Sequence, residues 1–228
     1  GAGPAGLAAA TTLTERGHTV ELFEARDHVG GQFDIAMRIP GKEEFAETIR
    51  YFTRQLDLGG VKVHLGRKVD ADELADAGFD EVVVATGVEP RIPSIPGVDH
   101  PMVMTYAELV RGERVAGQRV AVIGAGGIGV DVSEYLTTSE SATLDLQAWR
   151  AEWGVGDPAL TRGGLTKPRP EASPRHVVLL QRKASSIGKG LGKTSGWVHR
   201  AALKAKGVEH VTGVVSYDLI DDAGLHVS

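Results

Sequence analysis

At 228 residues the chain has room for one large domain or two small ones with a sizeable buried core. Cysteine is absent, which excludes a disulfide scaffold, a thiolate-held zinc or iron–sulfur site and a cysteine nucleophile within these residues. Lys+Arg 25 against Asp+Glu 30 gives a net charge of −5 spread along the chain, which argues against nucleic acid as the main partner. Glycine is the informative count: 30 residues, about 13% and nearly twice average usage, with no collagen-like period and only 10 prolines. Such a chain needs glycine for local backbone reasons, and its low aromatic content suits an α/β protein built with small residues. No uncharged apolar run approaches the ~18 residues of a membrane span. Nor does a basic-then-apolar secretory start occur, so the expectation is a soluble, cytoplasmic protein with no membrane partner.

Gly1-Ala2-Gly3-Pro4-Ala5-Gly6 is a G-x-G-x-x-G turn. Leu7 to Arg16 follows as a small-residue helix ended by Gly17, and His18 to Glu24 reads as a strand closing on an acid. The chemistry behind this order is specific. Glycines allow a tight turn, let backbone N–H groups approach a pyrophosphate and permit close helix–strand packing, while the helix N-terminus supplies partial positive charge. Glu24 lies 18 residues beyond Gly6, near the ~20 expected of a carboxylate that bonds ribose hydroxyls. The fingerprint also calls for a strand leading into Gly1. Since the chain begins at Gly1, the expectation is a fragment of a longer protein.

Gly30-Gly31-Gln32 is a turn signal whose functional reading is a second backbone approach to the same cofactor. After Pro40-Gly41, Lys42 to Leu58 carries Phe45, Ile49, Phe52 and Leu56 at helical spacing, a packing face. Val61 to Leu65 alternates as a strand. Glu81 to Gly87 is a β-branched run ending in a small-residue turn, and it predicts a buried parallel strand. Pro90, Pro93 and Pro96 then favour an extended crossing segment and the best domain boundary. The expected division is residues 1–95 for a first nucleotide-binding domain, incomplete for want of the strand before Gly1, and 96–228 for a second.

Gln118 to Ile123 is a strand, and Gly124-Ala125-Gly126-Gly127-Ile128-Gly129 is a second G-x-G-x-x-G opening a helix through about Leu136. Two such turns imply two dinucleotide sites. The next strand, His176 to Gln181, is delayed by an insertion over residues 137–175 that holds Trp149 and Trp153. This insertion reads as a surface subdomain packing its tryptophans against a neighbour, with a substrate lid as the alternative. The delayed strand ends in Gln181-Arg182-Lys183 where its counterpart ends in Glu24. An acid there accepts bonds from a free ribose 2′-OH and repels a 2′-phosphate, whereas the planar fork of arginine fits phosphate. NADPH is therefore expected over NADH at the second site.

Gly188 to Thr194 imitates a P-loop, but the required first glycine position holds Ile187, so the spacing is one short. That basic loop is left between a contact to NADPH phosphates and a solvated loop. His199, in the helical stretch Trp197 to Lys206, has no partner visible in the sequence and reads as structural. No G-x-S-x-G and no His/Asp/Glu set with metal-ligand spacing occurs, so no catalytic and no metal residue is assigned.

With both fingerprints in place the chain resembles the C-terminal FAD/NADPH-binding half of bacterial NADPH-dependent 2,4-dienoyl-CoA reductases, in the Old Yellow Enzyme-related group that includes trimethylamine dehydrogenase. The resemblance runs across essentially all the residues. It rests on Gly1 to Gly6, Gly30-Gly31-Gln32-Phe33, Ile39 to Phe45, Ala85-Thr86-Gly87 and Gly124 to Gly129, with Gln181 to Ser185, Gly190 to Thr194 and Gly196-Trp197 more particular to the reductases. It implies an α/β fold class of two Rossmann-like doubly wound dinucleotide-binding domains of the flavoprotein pyridine-nucleotide reductase type, the first truncated. FAD would be held by Gly1, Gly3, Gly6, Glu24, Gly31, Gln32, Ala85, Thr86 and Gly87. NADPH would be held by Gly124, Gly126, Gly127, Gly129, Arg182 and Lys183.

The resemblance further implies an electron-input module passing hydride from NADPH to FAD. In the parent enzyme it would feed reduction of 2,4-dienoyl-CoA in unsaturated fatty acid β-oxidation. A barrel carrying FMN and a four-iron four-sulfur cluster would precede it as its partner domain. Two alternatives stay open: an amine-dehydrogenase-like module with ADP in the first site, and a non-catalytic nucleotide-binding redox sensor.

Overall fold

The computed structural model describes residues 1–228, which form two compact units: Gly1–Arg38 with Lys42–Glu89, and Ile39–Gly41 with Pro90–Ser228.

The first unit opens with helix α1, Pro4–Glu15. Pro4 occupies its first turn, where a missing N–H costs no hydrogen bond and the fixed φ is already helical. Gly6, Leu7, Ala10 and Thr11 form its buried face, and left-handed Gly17 (φ 87°) follows its end. Strand β1, Glu21–Phe23, comes next, then the short helix α2, Gln32–Ala36, and the amphipathic helix α3, Phe45–Gly59, closed by left-handed Gly60. Strand β2, Lys62–His64, pairs in parallel with β1 at Leu22↔Val63, and helix α4, Ala71–Asp76, starts on an Asp70 cap. Ala2, Leu7, Ala10, Leu22 and Leu56 make the core, with Phe52 and four valines packed on it. The predicted α3 face thus does its packing through Phe52 and Leu56.

One predicted element differs. Glu81 to Gly87 forms no strand, and Val82, Val83 and Val84 are exposed. A buried parallel strand needs ladder partners, and the sheet of this unit consists of β1 and β2 alone. The β-branched run therefore lies outside the sheet, with no ladder.

In the second unit, helix α5, Tyr106–Arg111, begins in a capping box between Thr105 and Glu108. Strand β3, Arg119–Ile123, leads through a glycine turn into helix α6, Gly127–Thr137. Helix α7, Leu146–Trp153, lies in the insertion, and strand β4, His176–Gln181, ends it. Helix α8, Gly196–Ala205, and strand β5, Glu209–Thr212, complete a β-α-β-α-β run. Strands β6, Tyr217–Asp221, and β7, Gly224–Val227, form an antiparallel hairpin tied to the start of the unit by the Ile220 N–H, which donates to the Pro96 carbonyl at 2.9 Å.

The parallel sheet has the order β3-β4-β5, with Val120↔Val177 and Leu180↔Val211 in register. Its central strand is buried at Val177, Leu179 and Leu180, and Val130, Leu136 and Leu203 of the crossover helices are buried too. In the insertion Trp149 and Trp153 meet at 6.5 Å between ring centroids. Lys206, its side chain 7% exposed, pairs with Glu152 at 3.3 Å and Glu171 at 3.8 Å, so the insertion is fastened to the end of α8 by charge. No helix is long and apolar enough to cross a membrane.

Candidate functional site

Each unit carries one glycine turn, and the two turns share one local geometry. The caps of α1 and α6 are Gly3 (φ −77°, ψ −177°) and Gly126 (φ −79°, ψ −172°). Neither helix has a side-chain cap, so its first N–H groups and the positive end of its dipole face out of the turn. The third glycine of each motif sits against the carbonyl of the first. A Cβ on Gly6 would lie 1.8 Å from the Gly1 oxygen, and one on Gly129 would lie 1.8 Å from the Gly124 oxygen.

Three separate segments converge on the first turn. A Cβ on Gly1 would meet the Ala85 carbonyl oxygen at 2.4 Å and Thr86 Cα at 3.2 Å. Gly31, at φ 53°, approaches the turn so closely that its Cβ would be 2.7 Å from Gly3 Cα. The Gly30 N–H donates to the Ala2 carbonyl at 2.8 Å, and Gln32 Nε2 donates to the Val88 carbonyl at 3.4 Å. Gly87 is left-handed at φ 75°. Glu24, just past β1, has its two oxygens on backbone N–H groups: Oε2 accepts from Ala2 at 2.7 Å and Oε1 from Arg26 at 2.9 Å. The carboxylate is thereby fixed beside the turn. Gly1, Gly3, Glu24, Gly31, Ala85 and Thr86 are therefore neighbours, though they are spread over most of this unit.

In the second turn, the N–H of left-handed Gly124 (φ 102°) donates to the Leu180 carbonyl at 2.9 Å, which sets the turn beside the end of β4. A Cβ on Gly126 or Gly127 would meet nothing within 4 Å, so this side is open. Arg182 and Lys183 are exposed immediately beyond β4, and the Gly213 N–H holds the Lys183 carbonyl at 3.1 Å. The Arg182 charge reaches Tyr217: burial pushes that phenol up, and the arginine partly opposes it. The loop that imitates a P-loop is anchored at one end by buried Ile187 and by Arg200, whose guanidinium donates to the Gly188 carbonyl at 3.0 Å.

His199 does have a partner, Glu134 on α6, with Nδ1 and Oε1 2.8 Å apart. Together with Asp131 these side chains form a cluster that linear spacing did not reveal. The pair is 65 positions apart in sequence, and only the packing of α8 on α6 joins them.

Two glycine turns without side-chain caps, each opening a helix beside a parallel sheet, define an α/β protein with parallel sheets. The chain belongs to the pyridine nucleotide-disulphide oxidoreductase family, which it matches over residues 1–228. It is 31% identical over 208 residues to a metal reductase of Desulforamulus reducens, covering 90% of this chain and 30% of that protein. It is 34% identical over 176 residues to an N,N-dimethylglycine/sarcosine dehydrogenase of Chromohalobacter salexigens, covering 71% and 25%. Among solved structures, a 2-naphthoyl-CoA reductase in complex with 2-naphthoyl-CoA matches all of this chain and 29% of its own, with TM-score 0.78 and 27% identity. The chain thus spans about a third or less of the length of these relatives.

Membership implies FAD and NAD(P)H as cofactors. The residues fit such ligands. Both turns offer open helix N-termini, and the close approaches at Gly1, Gly6, Gly31 and Gly129 leave no room for a side chain.

Proposed function

We propose that this chain is the electron-input module of a flavin oxidoreductase, with FAD in the first unit and NADPH in the second. The observation that carries the pairing is the repeated turn geometry with opposite charge at the neighbouring strand end: Glu24 after β1 and Arg182 after β4. The boundary between the two binding domains is proposed near residues 95–96. When bound, the two cofactors supply two-electron chemistry, hydride passing from reduced nicotinamide to flavin.

The protein's own part is to bind and orient. The α1 N-terminus with Gly1, Gly3 and Gly6 takes the FAD pyrophosphate, and Glu24 takes ribose hydroxyls. Gly31, Gln32, Ala85, Thr86 and Gly87 wall the same site. The α6 N-terminus with Gly124, Gly126, Gly127 and Gly129 takes the NADPH pyrophosphate, and Arg182 and Lys183 take the 2′-phosphate. Alignment of two cofactors needs no acid or base from the chain, which accords with the lack of an assigned catalytic residue.

Within the whole protein, the module serves reduction of an unsaturated acyl-CoA such as 2,4-dienoyl-CoA. The likeness to a reductase named for a CoA thioester supports this. A second reading, a module of an amine dehydrogenase holding ADP in the first site, draws on the dehydrogenase relative. Reconstitution with FAD followed by stopped-flow mixing with NADPH separates the two: the reductase reading requires FAD to be retained and its absorbance to bleach, whereas the amine-dehydrogenase reading requires that FAD not be retained or that its absorbance persist. Arg182→Glu should move the NADPH:NADH preference toward NADH by about tenfold or more, the worth of one lost charge-assisted hydrogen bond. Equal loss for both cofactors would remove Arg182 from the site.

A further inference from the structure

Helices α6 and α8 of the second unit bring three donor side chains to one point. Asp131 and Glu134 stand three residues apart on α6, so they share a face about one turn apart. His199 projects from the first turn of α8. One donor atom from each lies within 4.8 Å of the other two. His199 Nδ1 and Glu134 Oε1 are 2.8 Å apart, with side chains 27% and 12% exposed, so this edge of the cluster is largely withdrawn from water.

The donor set narrows the ligand. Ligands on an ion with bonds of ~2.1 Å lie about 3 Å apart at a right angle and about 3.4 Å apart at the tetrahedral angle of zinc, so the hydrogen-bonded His199 to Glu134 pair at 2.8 Å needs to open by only about half an ångström to take an ion. One imidazole with two carboxylates is a mixed set that favours a borderline ion such as Zn²⁺, Mn²⁺ or Fe²⁺. Mg²⁺ prefers oxygen donors and retains its waters. Two carboxylates also balance a double positive charge, so a half-buried ion is left without net charge to desolvate.

We propose that Asp131, Glu134 and His199 bind one divalent transition-metal ion that clamps α6 to α8. The clamp joins the helix that opens at the second glycine turn to the helix that follows the basic Gly188 to Thr194 loop. Its consequence is a stiffer nucleotide-binding unit, whichever nucleotide occupies the turn.

The test uses the whole chain, stripped with a chelator and titrated with Zn²⁺ by calorimetry, with Mg²⁺ as comparator, and followed in parallel by thermal unfolding. The expected result is one Zn²⁺ per chain, a Tm raised by several degrees, and Mg²⁺ at least about tenfold weaker. His199→Gln and Asp131→Asn should each weaken Zn²⁺ at least about tenfold, with circular dichroism reporting that the variants are folded. Should His199→Gln fail to fold, Asp131→Asn carries the comparison. No Zn²⁺ binding, or binding and a Tm shift indifferent to both substitutions, would overturn the proposal and leave the trio as an interhelical hydrogen-bonded contact.

Discussion

At the scale of single residues, the glycines of one motif do different jobs. Gly129 is needed for packing: its Cβ would lie 1.8 Å from the Gly124 oxygen, and that atom is backbone that cannot swing aside. Gly127, two positions earlier at the start of α6, faces open space. Gly129→Ala should therefore lower stability by about 1–3 kcal/mol, the usual cost of overpacking. Gly127→Ala should leave stability level or up to ~1 kcal/mol higher, since alanine is the better helix former. Its cost should appear in NADPH affinity instead. Urea unfolding midpoints of the two variants check the contrast, and equal destabilisation would refute the division of labour. The same reasoning sets Gly6 against the Gly1 oxygen in the first unit.

At the scale of elements, the short helix α2 is positioned by charge. Asp34, 5% exposed in its side chain, faces Arg38 one turn on at 3.1 Å and His28 Nε2 at 3.4 Å. Burial pushes its carboxyl up, but Arg38 and His28 outweigh burial and hold it below the ordinary 3.8. A depressed folded-state value means stability that is fully present above 3.8 and is lost as pH falls through the lower folded value. Asp34→Asn should thus cost about 1–3 kcal/mol near neutral pH. The gap to the unsubstituted protein should close in acid; denaturant unfolding across a pH series measures it, and a gap that persists or widens in acid would reject the ion-pair account. Elements such as α3 and β4 were legible in sequence because their periodicity matches the surface they bury. Glu81 to Gly87 misled because β-branched content signals a strand but does not supply its ladder partner. The β6–β7 hairpin carries weak alternation, with Ile220 its buried residue, and the His199 to Glu134 contact depends on helix packing that no local pattern encodes.

At the scale of the whole molecule, every residue assigned to the first turn lies in the first compact unit and every residue assigned to the second lies in the other. Substitutions without shared partners add independently, so the two nucleotide affinities should separate cleanly. Glu24→Gln removes the charge that the Ala2 and Arg26 N–H groups hold in place. It should weaken FAD about tenfold by losing a charge-assisted bond to ribose, while NADP⁺ affinity by calorimetry stays within about twofold. Arg182→Glu should do the converse, sparing flavin and weakening NADP⁺. The double variant should then lose the sum of the two effects. Glu24→Gln weakening NADP⁺ more than FAD, or Arg182→Glu weakening FAD more than NADP⁺, would mean that the assignment of one cofactor to each turn is wrong.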